Sequence, residues 1–473
     1  MLTVLVSAIE LLSFCLIPLV ILRTRQPLAA VAWILGIILM PGLGGMLYLA
    51  TGTTRLHGKT RRKKEARAAL ELQLPSLVAH EVSPPPDASE SVRTELMALA
   101  CHISETQPTW GNEVELISDT KRAYGLQEQA ILEATNHIHV SYYIFQPDET
   151  GTRFRDVLIA KAREGVRVRF MYDAVGSLRL GRSFLAPMWD AGIRAARFLP
   201  VNPLRRRWVF NLRNHRKILV VDGRIGFTGG VNVGNEYIGR QSQFGYWRDT
   251  HMQLRGPSVL QLQQVFAQDW YFATDEELTA PELYPSAGEP GDQVVQVIAS
   301  GPDLPVEVCH ELFFAAIASA RRRVFIESCY FVPPDAIRLA LLSAAHRGVD
   351  VRIILPERSA HLTALLAAQS YYEELLASGV HIFEYAEGLL HSKVVSVDGE
   401  WSYVGSANMD NRSLSLNFEA GVVFYGPRMA TAIEEMFHTD LSRSHQLDLA
   451  NWSRRSILRR MAENTCRLLS PVL

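Results

Sequence analysis

The residues best suited to chemistry in this chain come as two matching sets. Each has the form H-x-K-x4-D and runs on into a glycine turn and an asparagine. The first is His215, Lys217, Asp222, Gly229, Gly230 and Asn232; the second is His391, Lys393, Asp398, Gly405, Ser406 and Asn408. On a strand, residues two apart share a face, so each set puts an imidazole beside an ammonium. That pairing suits a phosphate, with a nucleophile or proton donor next to a fixed positive charge. Asp222-Gly223 and Asp398-Gly399 read as tight hairpin turns. The returning strand then brings the glycine turn and asparagine back beside His and Lys, where backbone N–H groups and the carboxamides complete an oxyanion cradle. Asp222 and Asp398 are read equally as turn residues and as participants in the chemistry. No metal is expected, because a lysine alternates with each histidine and no carboxylate-rich ligand set sits close by.

The elements that must carry these sets are also duplicated. Residues 140–145 answer 326–331, 165–169 answer 348–352, and 214–222 answer 390–398. The separation is far above the roughly 20–50-residue period of solenoids, so two copies of one domain are the expectation. Residues 156–164 and 335–347 carry apolar side chains at helical spacing, each before a Gly-Val strand. An α/β body follows, with two pseudo-equivalent sheets whose copies meet face to face around a shared site.

Ahead of this body lie two apolar stretches. Residues 2–22 are apolar except for Glu10, and residues 27–54 hold no charged side chain. Both are long enough for a bilayer core of about 30 Å, which needs roughly 20 helical residues. A cleaved signal peptide fits less well, since a basic n-region and a small-x-small site are missing and a second apolar stretch follows at once. Seven basic side chains between Arg55 and Arg67 then place the body on the cytoplasmic side by the positive-inside rule, and suit anionic headgroups. Residues 71–95 are acidic and contain three consecutive prolines, a solvated linker. The expected organisation is a transmembrane hairpin over 1–54, a linker over 55–95, and two domains over 96–290 and 291–473.

The 473 residues carry 48 basic and 49 acidic groups and are 48% hydrophobic. A disordered chain is excluded, and so is a protein that binds nucleic acid over its whole surface. Five cysteines without a C-x-x-C pair offer neither a thiolate zinc site nor a redox motif.

With these features the chain resembles the phospholipase D superfamily, and within it the two-motif bacterial cardiolipin synthases. The paired histidine motifs carry the superfamily. The stretches Tyr246-Trp-Arg-Asp-Thr-His251, Phe331-Val-Pro-Pro-Asp335 and Asn417-Phe-Glu419, with the apolar N-terminus, carry the branch. The resemblance implies two phospholipase D-like α/β sandwich domains behind a two-helix transmembrane hairpin in the bacterial inner membrane. It implies transfer between two phosphatidylglycerol molecules through a phosphohistidine, with neither nucleotide nor metal cofactor. His215 is the nucleophile and His391 the acid/base in this scheme, although the two motifs are too alike for the sequence to order them. Lys217, Lys393, Asn232 and Asn408 would stabilise the transition state, with Gly405 and Ser406 also lining the substrate. Ser406 is an extra donor that the first turn lacks.

Each imidazole needs a partner that holds its tautomer. Asp249 and Glu419 lie 34 and 28 residues beyond the histidines of their own copies, at matching places, and are the expected partners. Near the first motif, Arg205-Arg-Arg-Trp-Val-Phe210 reads as a basic interfacial loop. The tail from Asn451 alternates arginine with Ile457, Leu458, Met461, Leu468 and Leu469, and is expected to pack on the body, with a membrane-facing helix as the alternative. A hydrolase, a phosphatidylserine synthase, a nuclease and an inactive membrane scaffold are the competing readings. The sequence assigns no oligomeric state.

Overall fold

Each copy begins with a strand whose far edge needs a partner, and the two copies solve this by pairing with each other. In the computed structural model, which describes residues 11–24, 27–49, 81, 92–200, 211–240 and 245–470, Thr109–Ile117 runs antiparallel to Gln293–Ser300. Outward from Thr109–Ile117 the first half continues with His251–Arg255, Ile225–Gly229, Ile218–Val221, His137–Tyr142, Arg167–Asp173 and Arg194–Phe198. Outward from Gln293–Ser300 come Glu419–Tyr425, Trp401–Gly405, Lys393–Val397, Arg323–Ser328, Asp350–Pro356 and His381–Tyr385, with Ser444–Gln446 added at the edge. The same order is therefore read in both directions from the centre. The result corrects the expectation of two facing sheets: among the described residues the two copies share one continuous sheet of fifteen strands, beside two short two-stranded pairs. Joining the two central strands removes two rows of unpaired backbone groups. It also lets the halves share a core, in which Val220, Leu254 and Phe266 lie with Val394, Val422 and Phe424.

The outer strands of each half are parallel and need crossover helices. Glu149–Arg163 and Asp335–His346 supply equivalent ones, close to where the apolar spacing predicts them. The first starts earlier than expected because Asp148 caps it, its carboxylate accepting from the Gly151 N–H at 3.0 Å.

At the N-terminus, helices Ile17–Arg23, Pro27–Leu39 and Leu43–Leu47 pack together through Val20, Ile37 and Tyr48. The Gly42 N–H donates to Ser13 Oγ at 2.9 Å, and Trp33 meets Tyr48 edge-on. The two apolar stretches thus touch, but no helix among the described residues is long and apolar enough to cross a membrane. Glu10, the basic residues 55–67, nearly all of the acidic linker and the 205–210 loop lie outside the described residues.

Candidate active site

Both motif strands start where the two halves exchange backbone. Asn214 forms a parallel bridge to Phe418, and Gly388–Leu390 runs parallel to Tyr246–Arg248 with Leu390 opposite Arg248. The next residue along each of these four segments is His215, Glu419, His391 or Asp249. Register alone therefore places each histidine against an acid of the other half. His215 Nδ1 lies 2.9 and 3.1 Å from the Glu419 carboxylate oxygens, and His391 Nδ1 lies 2.6 Å from Asp249 Oδ2. The expected acids are found, but the pairing is crossed and not within each copy. Spacing along one chain could not show this, since the alternative pairings have equally plausible separations.

A carboxylate only accepts, so both Nδ1 atoms carry the proton and both Nε2 atoms are left for chemistry. The imidazoles keep a small opening, with 11% and 10% of their side-chain surfaces exposed, while both acids are sealed. Burial pulls the His391 imidazolium down to about 3, helped by Lys393, whose Nζ is 2.9 Å from the same Nδ1. His215 is lowered mainly by burial, with Glu419 opposing. Burial by itself would raise both carboxylates. Lys393 and His391 bring Asp249 down, and His215, Lys217 and Ser406 do so for Glu419. Both imidazoles are thus neutral and both acids charged near neutral pH.

The lysines face inward between these pairs. Lys217 Nζ donates to its own His215 carbonyl at 2.6 Å, and Lys393 Nζ to that of His391. Burial lowers Lys217 to about 7, with Glu419 opposing and Lys393 adding to the fall. Two ammonium groups that repel each other in a buried place are held ready for an anion. Tyr143 lines the same space, its ring 4.9 Å from His215 and 5.6 Å from the Lys217 ammonium.

Other expected residues turn out to hold the frame. Asp222 accepts from the backbone N–H groups of Thr135, Asn136 and His137 at 2.7–2.8 Å. Asp398 does the same for Arg321, Arg322 and Arg323 at 2.7–2.9 Å. Each lies five steps along the chain from its lysine, about 16 Å on a strand, so both aspartates tie a hairpin to the next strand and touch neither imidazole. Two N–H groups of the expected backbone cradle are already taken. Gly230 N donates to the Thr250 carbonyl and Ser406 N to that of Ala420, each at 2.9 Å. Gly405 is required by packing: a Cβ there would stand 2.3 Å from the Tyr403 hydroxyl and 2.6 Å from Gly421 Cα. Ser406 Oγ donates to Glu419 at 2.5 Å, so it steadies that acid. The Asn232 carboxamide oxygen accepts from Ile144 N–H at 3.1 Å. Asn408 is buried and, among the described residues, its carboxamide oxygen meets no hydrogen-bond donor, so it is the more available of the two.

Two buried arginines that the sequence reading passed over complete the frame. Arg216 Nε donates to the Glu419 carbonyl at 3.0 Å and Nη1 to Asp269 at 2.5 Å. Arg248 Nε donates to Asp440 at 2.9 Å, and its Nη1 to the Asp249 carbonyl at 2.5 Å. Each guanidinium thus anchors the backbone of one of the two acids. The signal was available for Arg216: as the middle residue of H-x-K it must point away from His and Lys, into the core, where a charge needs an acid.

Comparison with known proteins supplies the family. Residues 128–270 and 313–441 match the family model described as cardiolipin synthase, phospholipase D-like domain, and residues 11–52 match the phospholipase D-nuclease N-terminal model. The chain belongs to the cardiolipin synthase family of phospholipase D-like proteins. It is 39% identical to the cardiolipin synthase of Alkalihalophilus pseudofirmus, over 99% of this chain and 93% of that one. It is 39% identical to that of Geobacillus kaustophilus over 96% and 90%. Among solved structures, phosphatidylserine synthase of Haemophilus influenzae superposes with a TM-score of 0.59 at 15% identity, covering 80% of this chain and all of that one. That likeness speaks for the fold.

Proposed function

We propose that this protein is a cardiolipin synthase that joins two phosphatidylglycerol molecules and releases glycerol. His215 Nε2 attacks the phosphorus of the first lipid, the bond from phosphorus to the departing glycerol oxygen breaks, and His391 supplies that oxygen's proton. A hydroxyl of the second phosphatidylglycerol gives its proton back to His391 and attacks the phosphohistidine, breaking the P–N bond. Asp222 and Asp398 take no part. The observation that carries this reading is the pair of buried imidazoles, each oriented by an acid of the opposite half, with two lysines between them. The names of the relatives supply the lipid class.

His391 at about 3 is too weak a base to hold a proton at rest. The lipid phosphodiester, arriving beside Lys217 and Lys393, offsets their charge and raises it, so protonation of the acid is coupled to substrate binding. Each good donor to the developing charge is worth roughly 3 kcal/mol. The apolar N-terminal stretches and the basic residues after them support a multi-pass anchor in the inner membrane, with the body on the cytoplasmic side.

The test uses full-length protein reconstituted with phosphatidylglycerol as the sole lipid. Cardiolipin and glycerol in equal amounts are expected. Phosphatidic acid with glycerol would make the protein a hydrolase, and no product would remove the enzymatic reading. Label from the lipid phosphorus should become attached to wild-type protein and not to His215→Ala; attachment to that variant would reverse the two histidines.

A further inference from the structure

The C-terminal helix Ile457–Arg467 is mounted with its polar side inward. Glu463 is 1% exposed and lies against Arg455 and Arg459, each at 3.2 Å. Arg455 and Arg460 reach Glu373, and Arg459 reaches Gln369, both on helix Leu362–Ala377. The opposite face carries Ile457, Leu458 and Met461 at 69, 74 and 60% exposure, continued by Leu468 at 78%. A surface helix of a globular body normally does the reverse. Arg454 is exposed beside the apolar strip, and Arg460 and Arg467, which reach Glu373 and Tyr371, remain exposed at the border of the two faces. Apolar side chains outward with arginines alongside is the composition of a helix lying in a membrane interface.

The helix ends close to the candidate site. Asn411, three residues after Asn408, donates from Nδ2 to the Ser470 carbonyl at 3.1 Å and to that of Val332. Leu178 and Leu362, at 78 and 66% exposure, follow the equivalent strands Arg167–Asp173 and Asp350–Pro356 and so lie at the same end of the sheet. The end of the helix and these exposed leucines thus lie on the side of the sheet where the site opens.

We propose that the outward face of Ile457–Arg467 docks on the surface of an anionic phospholipid bilayer and holds the site mouth against the lipid. This deepens the phosphatidyl-transfer reading and rests on it for the reason a mouth should face lipid; its own test does not need activity. The ion-paired inner face fixes the helix to the body, and insertion of the strip adds apolar burial to attraction between the arginines and anionic headgroups.

The probe is an environment-sensitive fluorophore on Leu458→Cys, with Cys15 and Cys466 replaced by serine, in full-length protein reconstituted in phosphatidylcholine bilayers with or without phosphatidylglycerol. A blue shift, with quenching by lipids brominated on the acyl chains, is expected and should be stronger with phosphatidylglycerol. A water-like spectrum in both bilayers overturns the proposal, as does a blue shift in detergent that grows with protein concentration, which would assign the face to a second copy. In parallel, the double variant Leu458→Glu, Met461→Glu should lose about tenfold in transfer from phosphatidylglycerol in bilayers, and keep wild-type turnover of a monomeric short-chain phosphatidylglycerol. Equal loss on both substrates would show that the helix acts on the site and not on the bilayer, overturning the proposal. Were wild type inactive on both, the functional reading would fail while the fluorophore still decided the docking.

Discussion

The two halves of the site reach one arrangement by different means. On the Asp249 side, glycine is required next to the acid: a Cβ at Gly230 would stand 2.0 Å from Asp249 Oδ1. On the Glu419 side the matching position is Ser406, whose hydroxyl bonds the longer acid. The anchoring guanidiniums are distributed unevenly too. Arg216 and Arg248 both belong to the first half, while the second half has Ser392 and Phe418 at the matching places. Each still finds an acid on an equivalent helix, Asp269 on Ser258–Thr274 and Asp440 on Pro427–Leu441. The constraint common to both halves is the result, an oriented imidazole with Nε2 free, and not the residue that provides it.

The crossing itself is the part of this comparison to break first. Glu419→Gln and Asp249→Asn should each lower turnover about a hundredfold. Glu419→Gln should add nothing to the loss from His215→Ala yet should compound that from Asp249→Asn. Independent action with His215 in a double-mutant cycle of kcat/KM would disprove the pairing. The next-largest effect concerns the turns. Gly230→Ala pushes Asp249 off His391 and should cost roughly thirtyfold, whereas Ser406→Ala removes one hydrogen bond worth about 1 kcal/mol, near fivefold. Equal effects would erase the distinction drawn between them.

A pH profile tests the part played by Lys217. Lys217 is charged below about 7 and neutral above it. The kcat/KM for phosphatidylglycerol should therefore fall as pH rises through about 7, by tenfold for each further unit. Lys217→Arg, which stays charged, should flatten that limb even at a lower maximum. An unchanged alkaline limb would show that another group sets it. The smallest effect on catalysis is expected from Asp222→Asn and Asp398→Asn. Each should cost about 2 kcal/mol of stability in denaturant unfolding, with turnover per folded molecule close to wild type. A loss of turnover beyond tenfold in folded protein would return these aspartates to the chemistry.

Much of the site was legible because its chemistry is local. A two-residue alternation on a strand puts His beside Lys wherever that strand lies, and a repeat of that pattern announces a second copy. The aspartates of the motif were legible as turn residues, and their positive φ values, 54° and 56°, bear that side of the reading out. Two donors of the expected oxyanion cradle are engaged elsewhere for a physical reason. Buried N–H groups rarely stay free, and here Gly230 and Ser406 give theirs to the carbonyls of Thr250 and Ala420.

The sequence by itself determined the duplicated α/β body, the two His–Lys pairs and the acids available to orient them, since strand periodicity and residue chemistry act over a few positions. Only the tertiary structure decided that the copies share one sheet, which acid serves which histidine, and that the last helix turns its apolar side outward. Those outcomes depend on which strand edges pair and which charges are buried together, and both are set by residues up to 204 positions apart.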